Sequence, residues 1–182
     1  MAKQVALFLI DGFEETEAIC TVDIMRRAGI EVTTVSLGTS RSLTGRSRII
    51  VEADAMFGDI SGKTFDMLVI PGGTRAYAEH EELLKLIMAQ HENGGKLAAI
   101  CAAPCVLGKL GLLKGKRAII YPGMEDLLNG ATISPKIVET DGNITTSKGP
   151  GTTVYFALRI VEILMGREIA DSVAEKFIAV KL

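Results

Sequence analysis

The sequence predicts an α/β protein with a mostly parallel sheet and helices on both faces. Three observations carry that prediction. Short aliphatic runs without polar alternation recur, at Val5–Ile10, Met67–Ile70 and within Lys96–Ile100. Unbroken apolar runs of this length mark strands covered on both faces. Segments with helical apolar spacing alternate with them, and glycine or proline punctuates the junctions at Gly29, Pro71-Gly72-Gly73 and Gly94-Gly95. In such sheets sites form at the carboxyl ends of strands. The loops after Ile10, Ile70, Ile100 and Tyr121 are therefore the places to look for chemistry.

In chain order, Val5–Ile10 reads as the first strand. Glu15–Ala28 reads as a helix, with Ala18, Val22, Met25 and Ala28 on one face and Gly29 at its end. Glu31–Leu37 completes a β-α-β unit. Ser40–Asp59 is irregular, an excursion from the main sheet with a short strand at Ile49-Ile50-Val51. Met67–Ile70 is a buried strand stopped by Pro71-Gly72-Gly73. Glu81–Asn93 is helical, Lys96–Ile100 is a strand, Ala102–Leu110 a helix and Arg117–Tyr121 another strand. Lys136–Ser147 reads as a hairpin turning at Asp141-Gly142, a pair that favours tight hairpin turns. Lys148-Gly149-Pro150-Gly151 breaks the chain. Val154, Leu158, Val161 and Met165 give a helical stripe ended by Gly166, and Glu168–Phe177 is a last short helix.

A length of 182 residues suits one domain, 1–182, with one core. Hydrophobic residues make up 48% and aromatic residues only 5%, so that core is aliphatic. A formal net charge of −2 without basic clusters argues against nucleic-acid binding. No apolar run approaches the roughly 18 residues of a membrane span, so no membrane partner is expected. Three cysteines, Cys20, Cys101 and Cys105, without paired spacing or a leader-like N-terminus, point to free thiols in a reducing cytoplasm. No metal-ligand cluster and no cofactor-binding motif is present, so neither a metal nor a cofactor is expected.

Cys101 is the most informative residue. It follows an apolar run and precedes Ala102-Ala103-Pro104, the pattern of strand, sharp turn and helix. At such a corner the sulfur stands clear of the sheet beside free N–H groups, which favour thiolate over thiol. Hydrolases place their nucleophiles on the same kind of elbow. A buried, inert thiol is the alternative for any free cysteine. Asp11-Gly12-Phe13-Glu14-Glu15-Thr16-Glu17 is too acidic to cradle a phosphate. Its acids suit the start of a helix, but Glu17 lies where it can turn toward the sheet. Buried there, its carboxyl is expected to be protonated, to bond the sulfur and to move protons. Gly72 and Gly73 offer approachable N–H groups for an oxyanion hole. His80 and His91 sit among charged residues, as on a solvated helix face. Arg27 and Arg48 are candidate anion binders. Cys105 shares a helix face with Cys101.

Five ordered motifs carry a resemblance across nearly the whole chain: Gly12-Phe13-Glu14-Glu15-Thr16-Glu17, Val22-Asp23-Ile24-Met25-Arg26-Arg27-Ala28-Gly29, Pro71-Gly72-Gly73, Ala98 to Pro104, and Thr146 to Thr152. Together they resemble the ThiJ/PfpI superfamily, above all its DJ-one-like branch. The resemblance implies a flavodoxin-like three-layer sandwich, a homodimer, a reactive elbow cysteine at Cys101 and a protonated glutamate at Glu17. It maps the diglycine to Gly72 and Gly73, and interface arginines to Arg27 and Arg48. It implies detoxification of small dicarbonyls without glutathione, of glyoxalase III or deglycase type. The alternative it leaves open is a non-enzymatic redox sensor or stress chaperone acting through oxidation of Cys101.

Two positions depart from the family pattern. Ala102 stands where protease-like members carry histidine, so a peptidase is not expected. Tyr121 stands where many members place a histidine across the pocket. With a reference pKa of about 10, tyrosine bonds substrate rather than acting as base. The expected mechanism has the Cys101 thiolate adding to an aldehyde, with N–H groups of Gly72, Gly73 and Ala102 holding the oxyanion and Glu17 moving the proton.

Overall fold

In the computed structural model, which describes residues 2–180, the aliphatic runs become strands and the periodic segments helices. Met1, Lys181 and Leu182, at the ends of the expected domain, lie outside the described residues. In chain order the elements are β1 (Gln4–Leu9), α1 (Glu15–Arg27), β2 (Glu31–Ser36), β3 (Ser42–Thr44), β4 (Ile50–Glu52), β5 (Ala55–Met56) and β6 (Met67–Ile70). There follow α2 (Glu81–Glu92), β7 (Lys96–Ile100), α3 (Pro104–Lys109), β8 (Arg117–Ala118), β9 (Thr132–Ile133), β10 (Val138–Asp141) and β11 (Ile144–Ser147). Then come α4 (Thr153–Met165) and α5 (Arg167–Lys176). No helix of the described residues is long and apolar enough to cross a membrane.

The main sheet has seven strands in the order β10-β11-β7-β6-β1-β2-β5. Every neighbouring pair is parallel except β10 with β11. Stripped of its edge strands, the order is that of a flavodoxin-like sheet. The chain runs outward from β1 toward β2, then returns to β6 and runs the other way through β7 to β11. Right-handed crossovers in opposite directions place helices on opposite faces. Accordingly α1, α4 and α5 pack together on one face, with α2 and α3 on the other. The result is a three-layer sandwich.

β1 is buried on both faces from Val5 to Leu9, as are β6 throughout and β7 from Leu97. That double burial is why these strands read as continuous apolar runs. The strand order reverses between β1 and β6, so the crevice at their carboxyl ends is the switch point where α/β sheets form sites. The loops from β1, β6 and β7 all open there.

Three expected elements differ. The strand expected at Arg117–Tyr121 is only β8, paired with β9 outside the main sheet. Both edges of β11 are already taken, by β7 and β10. The backbone beyond β8 bonds elsewhere: Ile119 N–H to Thr146 Oγ1 at 2.9 Å and Tyr121 N–H to the Cys101 carbonyl at 2.8 Å. The helix expected from Ala102 begins at Pro104, because Cys101 has a φ of +62° and residues 101–103 form a turn instead. The hairpin turns at Gly142-Asn143, with Asp141 opposite Ile144.

Candidate active site

Glu14 caps α1, accepting the Glu17 N–H on its carboxylate at 2.7 Å. This fixes the first turn and aims the Glu17 side chain inward. The β1–α1 loop is then tied to the loop after β6 in both directions. Glu14 N–H donates to the Gly72 carbonyl at 3.0 Å, and Gly72 N–H donates to Glu17 Oε2 at 2.6 Å. Gly72 must be glycine for steric reasons. A Cβ there would stand 2.6 Å from Cys101 Cβ and 2.9 Å from Glu17 Oε2. Gly73 takes a φ of +91°, open to glycine at little cost.

Cys101 is a non-glycine residue in the left-handed region, a conformation that stores about 1 to 3 kcal/mol of strain. Its backbone is held from two sides. Cys101 N–H donates to the Ser147 carbonyl at 3.1 Å, and the Cys101 carbonyl accepts from Tyr121 N–H. The strained elbow sets the sulfur beside the N–H groups of Gly73 and Ala102, which favour its charged form. The Glu17 carboxyl is the third group at the sulfur. Glu17 is fully buried, and its Oε1 has no hydrogen-bond partner among the described residues.

Burial pushes the Glu17 carboxyl up to about 7, against the lowering effect of the Gly72 and Cys101 bonds. The sequence predicts a protonated carboxyl here; a value of about 7 divides Glu17 between its protonated and charged forms at neutral pH. The thiol does not follow expectation. Burial first, and then the Glu17 charge, push Cys101 up to about 12, outweighing the Gly73 and Ala102 donors. The sequence shows the donors but not the desolvation. Because carboxyl and thiol face each other, they titrate as a pair. Burial also raises Cys20, with Asp23 adding to the effect, and burial raises Cys105.

Gly72, Gly73, Ala102, Glu17 and Tyr121 thus gather around Cys101, though the Gly72 N–H is already committed to Glu17. Tyr121 reaches the site through its own N–H, and its ring is half-exposed. Arg27 is elsewhere. It closes α1, about 15 Å along the helix from Glu17 by the 1.5 Å rise, pairs with Asp23 at 2.9 Å and lies over Phe177 at 5.5 Å. Arg48 sits in the β3–β4 turn with a φ of +67°.

The arginine that touches the site loops is Arg46, whose Nη1 donates to the Gly73 carbonyl at 3.1 Å. Glu15 has a role beyond the start of the helix. It is buried, and its Oε1 accepts from Ser47 N–H at 2.7 Å, docking the β3–β4 turn on α1. Both contacts span some thirty residues, and no local pattern marks them. Gly149 is a third omission, since a Cβ there would lie 4.0 Å from Cys101 Sγ. It was legible only as part of a chain break.

Fold and site together define a class: a parallel α/β sandwich with a strained cysteine elbow facing a buried carboxyl at the switch point. The chain belongs to the DJ-1/PfpI family, whose model matches residues 3–163. It is 38% identical over 180 residues to protein dj-1beta of Drosophila melanogaster, covering 96% of each chain. The crystal structure of Drosophila melanogaster DJ-1beta superposes with a TM-score of 0.95 at 37% identity, with both chains fully covered. A relative from Caenorhabditis elegans, glutathione-independent glyoxalase DJR-1.2, is 34% identical over 177 residues and 94% of each chain.

Proposed function

We propose that this chain is a cysteine-dependent enzyme that converts small dicarbonyls to 2-hydroxy acids without glutathione, a glyoxalase III or deglycase-type activity. The observation that carries the reading is the coupled pair of Glu17 and Cys101 beneath two N–H donors. A relative named as a glutathione-independent glyoxalase supports it.

Loss of one proton from the pair leaves one proton shared between carboxyl and thiol. The reacting form holds it on Glu17 and the charge on sulfur. Sγ attacks the aldehyde carbon of R–CO–CHO, and the carbonyl electron pair moves to oxygen. The Gly73 and Ala102 N–H groups stabilise that oxyanion, and Glu17 protonates it to a hemithioacetal. The Glu17 carboxylate then takes the C1 proton, giving an enediolate; the C1 hydroxyl proton passes to the C2 oxygen, and Glu17 returns its proton to C2. The product is a 2-hydroxy thioester. Water attacks its carbonyl carbon while Glu17 takes the water's proton, the thiolate leaves, and R–CH(OH)–COOH is released, restoring the starting pair. One water is added overall, and no external oxidant or reductant is needed.

Ile19 on α1 and Ile49 and Ile50 at the β3–β4 hairpin are large exposed apolar side chains. Glu15 ties these two elements together through the Ser47 N–H, and we read their exposed apolar side chains as a surface suited to a second copy of the chain. The functional unit is read as a homodimer of one-domain chains, 1–182. Three free thiols fit a reducing cytoplasmic setting.

The test is turnover of methylglyoxal by purified protein without thiol cofactor, followed as lactate formed. Lactate production abolished by Cys101→Ser supports the reading. Absence of lactate, or production that survives Cys101→Ser, overturns it.

A further inference from the structure

We propose that the cleft between the turn after β5 and the start of α2 is a second ligand site, one that takes a free α-amino acid with an apolar side chain, aromatic ones best. It shares no residue with the site around Cys101, and it stands independently of the dicarbonyl reading.

The cleft is a surface cavity of about 390 Å³. That is the small end of the roughly 300–1,000 Å³ of small-molecule sites, room for one ring-sized molecule rather than a nucleotide. Its apolar lining is Phe57, Ile60 and Leu86. Phe57 and Ile60 come from the 3-10 turn Phe57–Ile60, and Leu86 comes from α2. Two opposite charges complete the lining, Lys63 from the loop after that turn and Glu82 from α2.

The aromatic wall is held in place. The Phe57 ring lies 6.3 Å from the Phe8 ring and 5.4 Å from the His80 imidazole, tilted against each. Phe8 is fully buried, and His80 Nδ1 accepts the Leu83 N–H at 3.2 Å, so both supports are themselves fixed. A ring entering the cleft meets an aromatic surface that need not be ordered first.

Glycines keep the cleft open. A Cβ on Gly58 or on Gly62 would meet no atom within 4 Å. Gly62 has a φ of +75°, which favours glycine for its backbone. Gly58 lies in the 3-10 turn, outside the left-handed region. A side chain added there fills the cleft without straining the chain.

The charges select the ligand. Lys63 and Glu82 line one cleft, yet neither has an ion-pair partner among the described residues, each other included. A carboxylate answers Lys63 and an ammonium answers Glu82. A free α-amino acid carries both groups on one carbon and leaves its side chain for Phe57, Ile60 and Leu86. An acid or an amine of the same shape leaves one of the two charges unanswered.

The experiment is an NMR titration of isotope-labelled protein with L-phenylalanine, with hydrocinnamate, which lacks the ammonium, and with phenethylamine, which lacks the carboxylate. L-phenylalanine should bind saturably below about 10 mM, more tightly than either partial ligand, with shifts centred on the amides of Gly58, Ser61 and Gly62. Lys63→Met should weaken L-phenylalanine and hydrocinnamate about two- to fivefold, the range of an exposed ion pair, and leave phenethylamine unchanged. Glu82→Gln should weaken L-phenylalanine and phenethylamine to the same degree and leave hydrocinnamate unchanged. Gly58→Leu should abolish binding of all three, and the two charge variants decide the matter if it fails to fold. Absence of saturable binding to wild type, shifts centred elsewhere, or charge variants that do not separate the three ligands would overturn the proposal.

Discussion

Replacing Glu17 with glutamine should stabilise the fold at pH 8, and at pH 5 by only about a quarter as much. The amide matches the carboxyl in shape and keeps an oxygen to accept the Gly72 N–H. It differs in carrying no titratable proton. Burial raises the folded-state pKa of Glu17 from 4.5 to about 7. A raised folded pKa means the native state holds the proton more tightly than the unfolded chain. The stability this contributes is fully present below pH 4.5 and is lost as pH rises through about 7. A shift of about 2.5 units at 1.36 kcal/mol each gives roughly 3 kcal/mol. Glu17 is completely buried, so solvent screening takes little from that figure. For a chain of this size the corresponding gain in Tm is about 6–12 °C. Titrating groups that Glu17 does not touch are common to both proteins and cancel in the difference; Cys101, which the Glu17 charge helps to raise, does not cancel and is followed separately by its alkylation. The assay is urea unfolding of wild type and Glu17→Gln at half-unit steps from pH 5 to 8.5. The difference between them should open with pH, with its midpoint between 4.5 and 7. A pH-independent offset, or a variant less stable at pH 8, would refute a buried carboxyl that resists ionisation.

Three further outcomes follow from the same geometry. Limiting iodoacetamide between pH 6 and 8 should label Cys101 before Cys20 only through the form with the proton on Glu17 and the charge on sulfur, since as a resting thiol Cys101 is pushed up by burial and the Glu17 charge, as Cys20 is by burial and Asp23; faster labelling of Cys20 would sink the elbow assignment. Gly72→Ala should destabilise the protein and nearly abolish Cys101 alkylation, since the new methyl must displace Cys101 Cβ or the Glu17 carboxyl; wild-type Tm and alkylation rate would show that the loop gives way freely. Tyr121→Phe should lower methylglyoxal turnover by the roughly 0.5–1.5 kcal/mol of one hydrogen bond, and Tyr121→His should raise it severalfold if a base is the missing part. No change in either variant would mean that the ring does not meet substrate.

What the residues themselves disclose here is local. Doubly buried strands must be apolar throughout, so β1, β6 and β7 announced themselves, and with them the loops of the site. Cys101 was legible because a strand, a tight turn and Pro104 leave few conformations for the residue between them. Glu17 stood out as an acid one turn inside a helix that needed no further acid. Long-range proximity stayed hidden. Nothing near Glu15 in sequence marks Ser47 as its partner, nothing near Arg46 marks Gly73, and nothing near Gly149 marks the Cys101 sulfur. Arg27 reads as an anion-binding or interface arginine, and the length of α1 carries it to the end of the helix away from Glu17. β8 looked like a sheet strand, but β11 had no free edge to give it. The thiol shows the limit most clearly. The N–H donors that lower its pKa follow from local geometry, whereas the burial and the facing carboxyl that raise it exist only once β1, β6 and β7 have been brought side by side.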